Sequence, residues 1–232
     1  METYITMYKR ELIDTLSRCD SVFNTLKHIP EFIEIHIILC DSKEELYRKR
    51  CELTTHPLAK QKLVIDKEDY ITAAGCYIIP PEENVFTILL LQTGNIFYDS
   101  YNYVHELTHI CNYVDFLSAT NFSNIFEPFE NHDLFLWDEY NARYISTYVM
   151  CEMLSPISSF DDLSHCIKIV CDVLRKCVNE KNIVSYDGSQ LLGAIQAAYE
   201  KGIINSYSDY LSSVEIAELE RKSILDITSF IK

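Results

Sequence analysis

The chain has 232 residues, 48% of them hydrophobic, with 5 glycines, 6 prolines and a formal charge of −15. This composition excludes a disordered or collagen-like chain, and the length suits one domain or two closely packed lobes. So negative a balance argues against nucleic acid or an anionic membrane as partner, and no stretch reaches the roughly 20 apolar residues of a membrane span.

Glu2 to Lys27 has helical spacing and stops before Pro30. Phe32 to Cys40 alternates and is rich in isoleucine, the pattern of a strand. Ser42, with Glu45 three residues on, forms a capping box and predicts a helix through about Thr54. Leu63 to Ile65, Tyr70 to Ile79 and Val85 to Leu91 read as strands, the last two joined by a polar turn from Pro80 to Asn84. Thr93-Gly94-Asn95 then leads into a helix over Tyr101 to Leu117, and Ser118 to Asp133 follows as a polar, proline-broken loop. Asp133 is expected to cap a second long helix, Leu134 to about Leu154, which ends before Pro156. Phe160 to Asn182, Ser189 to Lys201 and Ser208 to the last residue read as further helices, with Gly188 and Gly202 as punctuation. Met1 to Leu16 carries charges throughout and does not read as a secretion signal. Nine cysteines, an odd number with no C-x-x-C pair, are expected to be reduced thiols in a cytoplasmic protein; Cys111, Cys151, Cys166, Cys171 and Cys177 fall in helical stretches.

The most informative residues are His105-Glu106-Leu107-Thr108-His109. Positions i and i+4 share one face of a helix, so both imidazoles can reach one metal ion. Glu106 stands about 100° around the axis, where it can take the proton of a metal-bound water. The flanking residues support this. Val104, Leu107, Ile110, Cys111, Val114 and Leu117 gather on one side, and Asn102, His105, Thr108, His109 and Asn112 on the other. That division suits an apolar back packed into the core and a ligand face turned to a cleft.

A catalytic zinc takes three protein ligands and keeps a position for water. Asp115 stands ten residues after His105, but if the helix continues it lies about 9 Å along the axis from His109 and cannot share its metal. Glu139 is the preferred third ligand, since Ala142 and Ser146, three and seven residues on, give its helix a small-residue face for close approach. Trp137, Tyr140, Tyr144, Ile145 and Tyr148 form the bulky stripe beside it. Glu127, Glu130 and His132 in the intervening loop remain alternatives.

The motif resembles the zinc helix of thermolysin-type gluzincins, whose third ligand is a glutamate on a following helix. The glutamate-then-alanine stretch, Glu139 to Ala142, is also similar to the compact intracellular metallopeptidases related to the ImmA/IrrE group, which are cytosolic and cut regulatory proteins. The resemblance covers about Tyr98 to Leu154. Two departures stand out: the longer gap between His109 and Glu139, and Arg143 one turn past the glutamate, where thermolysin-like enzymes carry an acidic residue that orients a zinc histidine. Asp115 or Asp138 would then have to orient His105. The resemblance implies an α+β chain: a zincin-like small mixed or antiparallel sheet packed on the metal helix, then a mainly helical C-terminal half. The expected lobes are residues 1–120, α/β with the motif, and 121–232, helical and supplying the third ligand, as one catalytic unit.

The activity implied is that of a zinc metallopeptidase acting on an intracellular protein or peptide, with one Zn2+ held by His105, His109 and Glu139 and with Glu106 as general base. Tyr140, Tyr144, Tyr148, His132 and Arg143 are the donors nearest in sequence for an oxyanion, with side-chain packing or a surface position as the plainer account of each. Substrate is expected to add as a strand to a sheet edge, for which Val85 to Leu91 or the strand before it is available. Two alternatives stay open. One is another zinc amidohydrolase: peptide deformylases share the motif and add a cysteine ligand, and Gly75-Cys76 faintly resembles that, without their glycine-rich and glutamine-containing segments. The other is a non-proteolytic, metal-binding interaction or regulatory protein, against which the intact Glu106 argues.

Overall fold

A computed structural model of the chain describes residues 2–55, 57, 60, 63, 76–82, 84–119, 131–154, 160–177 and 186–224. The fold is mixed α+β and mostly helical, and it divides into two compact units, residues 1–110 and 111–232. The boundary falls inside a continuous helix, Ile96–Ala119.

The first unit begins with α1 (Glu2–Leu26), whose Leu12, Leu16, Cys19 and Phe23 recur every three or four residues and are all buried. Strand β1 (Glu34–Cys40) is followed by α2 (Lys43–Leu53), then β2 (Cys76–Glu82) and β3 (Val85–Leu91). These strands form a mixed sheet in the order β1-β3-β2, with β1 parallel and β2 antiparallel to β3. The capping box of α2 forms with one change: Glu45 N–H donates to Ser42 Oγ at 3.1 Å as predicted, while the Glu45 carboxylate takes the N–H of Asp41, one residue before the cap, at 2.8 Å. Leu46 of α2 packs with Cys40, Leu89 and Leu91 into a small core over the sheet.

The sheet differs from expectation in three places. Leu63 is helical and buried rather than in a strand, while Val64, Ile65 and residues 70–75 lie outside the described residues. Pro80 and Pro81 belong to β2 instead of a turn, beside a register irregularity between Ile79 and Glu82. An edge strand tolerates them because the amide hydrogens they lack need not serve the ladder. Finally, Val85–Leu91 is the central strand, with Ile88, Leu89 and Leu90 fully buried, so the buried-core account holds and an added strand can pair only at β1 or β2.

Helix α3 (Ile96–Ala119) starts five residues earlier than predicted because the turn before it is well anchored. Gly94 adopts φ 82°, and the buried Asp99 carboxylate accepts the Thr93 N–H at 3.1 Å, the Thr93 hydroxyl at 2.7 Å and the Tyr8 hydroxyl of α1. Tyr103 donates to Asp20 of α1 at 2.7 Å, a second tie between α1 and α3.

In the second unit α4 (His132–Leu154) is capped by Asn131, not Asp133: the Asn131 side chain accepts the Leu134 N–H at 3.1 Å. Then come α5 (Phe160–Cys177), α6 (Tyr186–Glu200), a 3-10 turn (Tyr207–Asp209) and α7 (Ser213–Ile224). Gly202 ends α6 with φ 70°, as a helix-stopping glycine should. Gly188, by contrast, is buried inside α6. Helices α4 and α6 run side by side in the same direction, shown by the pairs Phe135 with Tyr186, Glu139 with Gln190, and Tyr144 with Glu200. Their approach is unusually close at Gly193, where a Cβ would meet the Tyr140 carbonyl oxygen at 2.1 Å.

Lys222 of α7 is fully out of solvent, 3.6 Å from Glu218, with Arg221 and Asp133 also acting on it. Burial pushes its ammonium down to about 8 from 10.5. The folded state therefore binds fewer protons than the unfolded chain between those values, and stability rises as pH climbs through that window. Lys222→Met is expected to raise stability by about 1–2 kcal/mol at pH 7 and to flatten the rise, since Glu218 keeps its paired contact with Arg221. Urea denaturation at pH 7 and pH 9.5 checks this; a loss of stability at pH 7 would contradict it.

Candidate metal centre

His105 and His109 lie one turn apart on α3, and both are 5% exposed. Their Nε2 atoms are 3.0 Å apart with the rings nearly perpendicular, at 87°. Two ligands of a tetrahedral zinc at about 2.05 Å would sit about 3.3 Å apart, so the rings converge on one point as co-ligands do. A hydrogen bond between two imidazoles would explain that spacing alone, but it has no need of a third donor. Glu139, 6% exposed on α4, supplies one. The ligand atoms of His105, His109 and Glu139 all lie within 4.8 Å of one another. Two imidazoles and one carboxylate are the donor types of a His2Glu zinc site.

The face that carries the histidines is less open than its sequence suggested. Thr108, His109, Asn112 and His105 are all buried, along with Val104, Leu107 and Ile110 on the other side. Glu106 is half-buried, the most accessible residue of the motif. Thr108 satisfies its hydroxyl within the helix by donating to the Val104 carbonyl at 2.8 Å. Asn112 donates to the buried Asp138 carboxylate at 2.5 Å, which joins α3 to α4 one residue before Glu139. The sequence places Asn112 on the ligand face three positions after His109, but its pairing with Asp138, expected instead to orient His105, had no local signal.

The chain matches no protein-family model, no curated protein and no solved structure at a significant level. Its reading therefore rests on its own residues.

Among the described residues the other ligand candidates do not join the group. The helix does continue through Asp115, which is partly exposed and six residues beyond His109. His132 is exposed at the first position of α4, while Glu127 and Glu130 lie outside the described residues. Burial pushes the thiols of Cys19, Cys151 and Cys171 up to about 12 and that of Cys40 up to about 11, well above neutral pH. These cysteines are free thiols, as are Cys51, Cys111 and Cys166.

Most of the oxyanion candidates are engaged by α6. Tyr140 donates to Gln196 at 2.5 Å and Tyr144 to Glu200 at 2.6 Å, and the Lys201 ammonium sits 3.5 Å over the Tyr148 ring. Burial raises the Tyr140 and Tyr144 hydroxyls further above neutrality. Arg143 donates through Nε to the Gln190 side-chain oxygen at 2.6 Å. Among the described residues, no helix is long and apolar enough to cross a membrane.

Proposed function

We propose that the chain is a zinc-dependent metallopeptidase of gluzincin type, with a zincin-like arrangement of its α+β elements and an intracellular protein as substrate. The convergence of two imidazoles and one carboxylate at a buried point, beside a half-buried glutamate, carries the reading. Zinc at such a point acidifies a water towards neutrality and polarises a peptide carbonyl. His105, His109 and Glu139 would hold the ion, the two histidines through Nε2. Glu106 accepts the proton of the attacking water and delivers it to the departing amine, with its position one residue after His105 setting its reach. The burial of the three ligands also suits a non-proteolytic reading in which the metal only braces the fold, and a structural site would recruit a fourth protein ligand.

Metal analysis of the purified protein is expected to give close to one zinc per chain. Glu139→Ala is expected to lower the affinity by a hundred-fold or more and to remove cleavage of a denatured protein substrate followed by mass spectrometry. Full zinc retention in Glu139→Ala would displace it as third ligand. A zinc-loaded wild type that cleaves nothing would leave the bracing role in its place.

A further inference from the structure

Helix α6 lies along α4, the helix that carries Glu139, and touches that carboxylate through Gln190. Gln190 of α6 is 2% exposed and its Nε2 donates to Glu139 Oε2 at 3.0 Å. Its Oε1 accepts the Nε–H of Arg143 at 2.6 Å. Glu139 and Arg143 are four residues apart on α4, one turn along the same face, and the Gln190 side chain bridges them.

We infer that Gln190 is a positioning residue for Glu139, with Arg143 fixing the sense of its amide. An arginine has only donors, so it must take the amide oxygen, and this turns the amide nitrogen onto the carboxylate. The flipped amide would set nitrogen against guanidinium and oxygen against carboxylate, losing both hydrogen bonds at once. One carboxylate oxygen is thereby pinned while the group keeps its negative charge for a cation. Partners of this kind, which hold a metal ligand in its binding orientation, are worth about 10- to 100-fold in metal affinity. The departure at Arg143 then acquires a meaning: the position one turn past Glu139 orients the glutamate, not a histidine.

This inference rests on the metal-site reading, and the experiment separates the two. Zinc affinity of the full-length apo protein is measured by chelator competition for wild type, Gln190→Met and Arg143→Met. The absorption bands of the Co2+-loaded forms are recorded beside it. Gln190→Met, similar in volume but without the amide, is expected to weaken zinc about 10- to 100-fold and to shift the cobalt bands. Arg143→Met, which frees the amide to flip, should give a smaller loss in the same direction. Unchanged affinity and cobalt bands in a folded Gln190→Met would overturn the inference while leaving the metal site standing. Should Gln190→Met fail to fold, wild-type values in Arg143→Met would overturn it equally. Absence of zinc binding by the wild type would instead remove the reading beneath it.

Discussion

Glu106→Gln is expected to reduce peptide hydrolysis by about a thousand-fold or more while leaving zinc at the wild-type level. The substitution keeps the size of the side chain and its place on α3, and removes only the ability to accept a proton. General base catalysis by a positioned carboxylate accounts for roughly 10²- to 10⁴-fold, and Glu106 is half-buried directly after His105. The metal should be unaffected because Glu106 is outside the group formed by His105, His109 and Glu139. The contrast between two glutamates is the informative part: Glu106→Gln separates chemistry from metal binding, while Glu139→Ala removes both together. Turnover of a cleaved peptide, measured at equal zinc content for wild type and Glu106→Gln, decides the matter. Residual activity above about a tenth of wild type would assign the proton to another group.

The parts of this molecule legible in its sequence were those governed by local chemistry. The i, i+4 placement of His105 and His109 follows from helix geometry alone, and the apolar residues around them require that the helix be packed. Ser42 and Glu45 specify a helix start through hydrogen bonds that span three residues. The approach of Glu139 to the two histidines needed a longer argument, for which Ala142 and Ser146, both fully buried, were the sequence signal. Context overrode local preference elsewhere. Pro80 and Pro81 look like a turn until β2 proves to be an edge strand. Gly188 looks like a helix stop, yet α6 starts before it. Asn131 rather than Asp133, two residues later, is the cap, a shift within the usual uncertainty of helix ends. Gln190 is hardest to read, because a glutamine in a helix is ordinarily solvated. Its one signal is Gly193, Ala194 and Ala197 at three, four and seven residues on, a face of small side chains that can only mark a tightly docked helix.

That face is the basis of the second large effect. Gly193→Ala is expected to destabilise the protein by about 2–4 kcal/mol and to weaken zinc binding from a position that offers no ligand itself. The added Cβ would lie 2.1 Å from the Tyr140 carbonyl oxygen, 2.9 Å from the Tyr144 nitrogen and 3.1 Å from the Tyr140 carbonyl carbon. All three are backbone atoms of α4, so no side chain can rotate away, and the helices must separate by about 1 Å or more. Alanine's better helix propensity offsets this by only about 1 kcal/mol. Gln190 is one turn before Gly193 on the same helix, so a retreat of α6 stretches its 3.0 Å bond to Glu139. The zinc effect should then depend on the amide. In the wild-type background Gly193→Ala lowers zinc affinity several-fold; in the Gln190→Met background, where that bond is already gone, it should lower it little further. Additive losses in the four-variant cycle would mean that α6 acts on the metal through general loosening of α4, and that Gln190 does not transmit it.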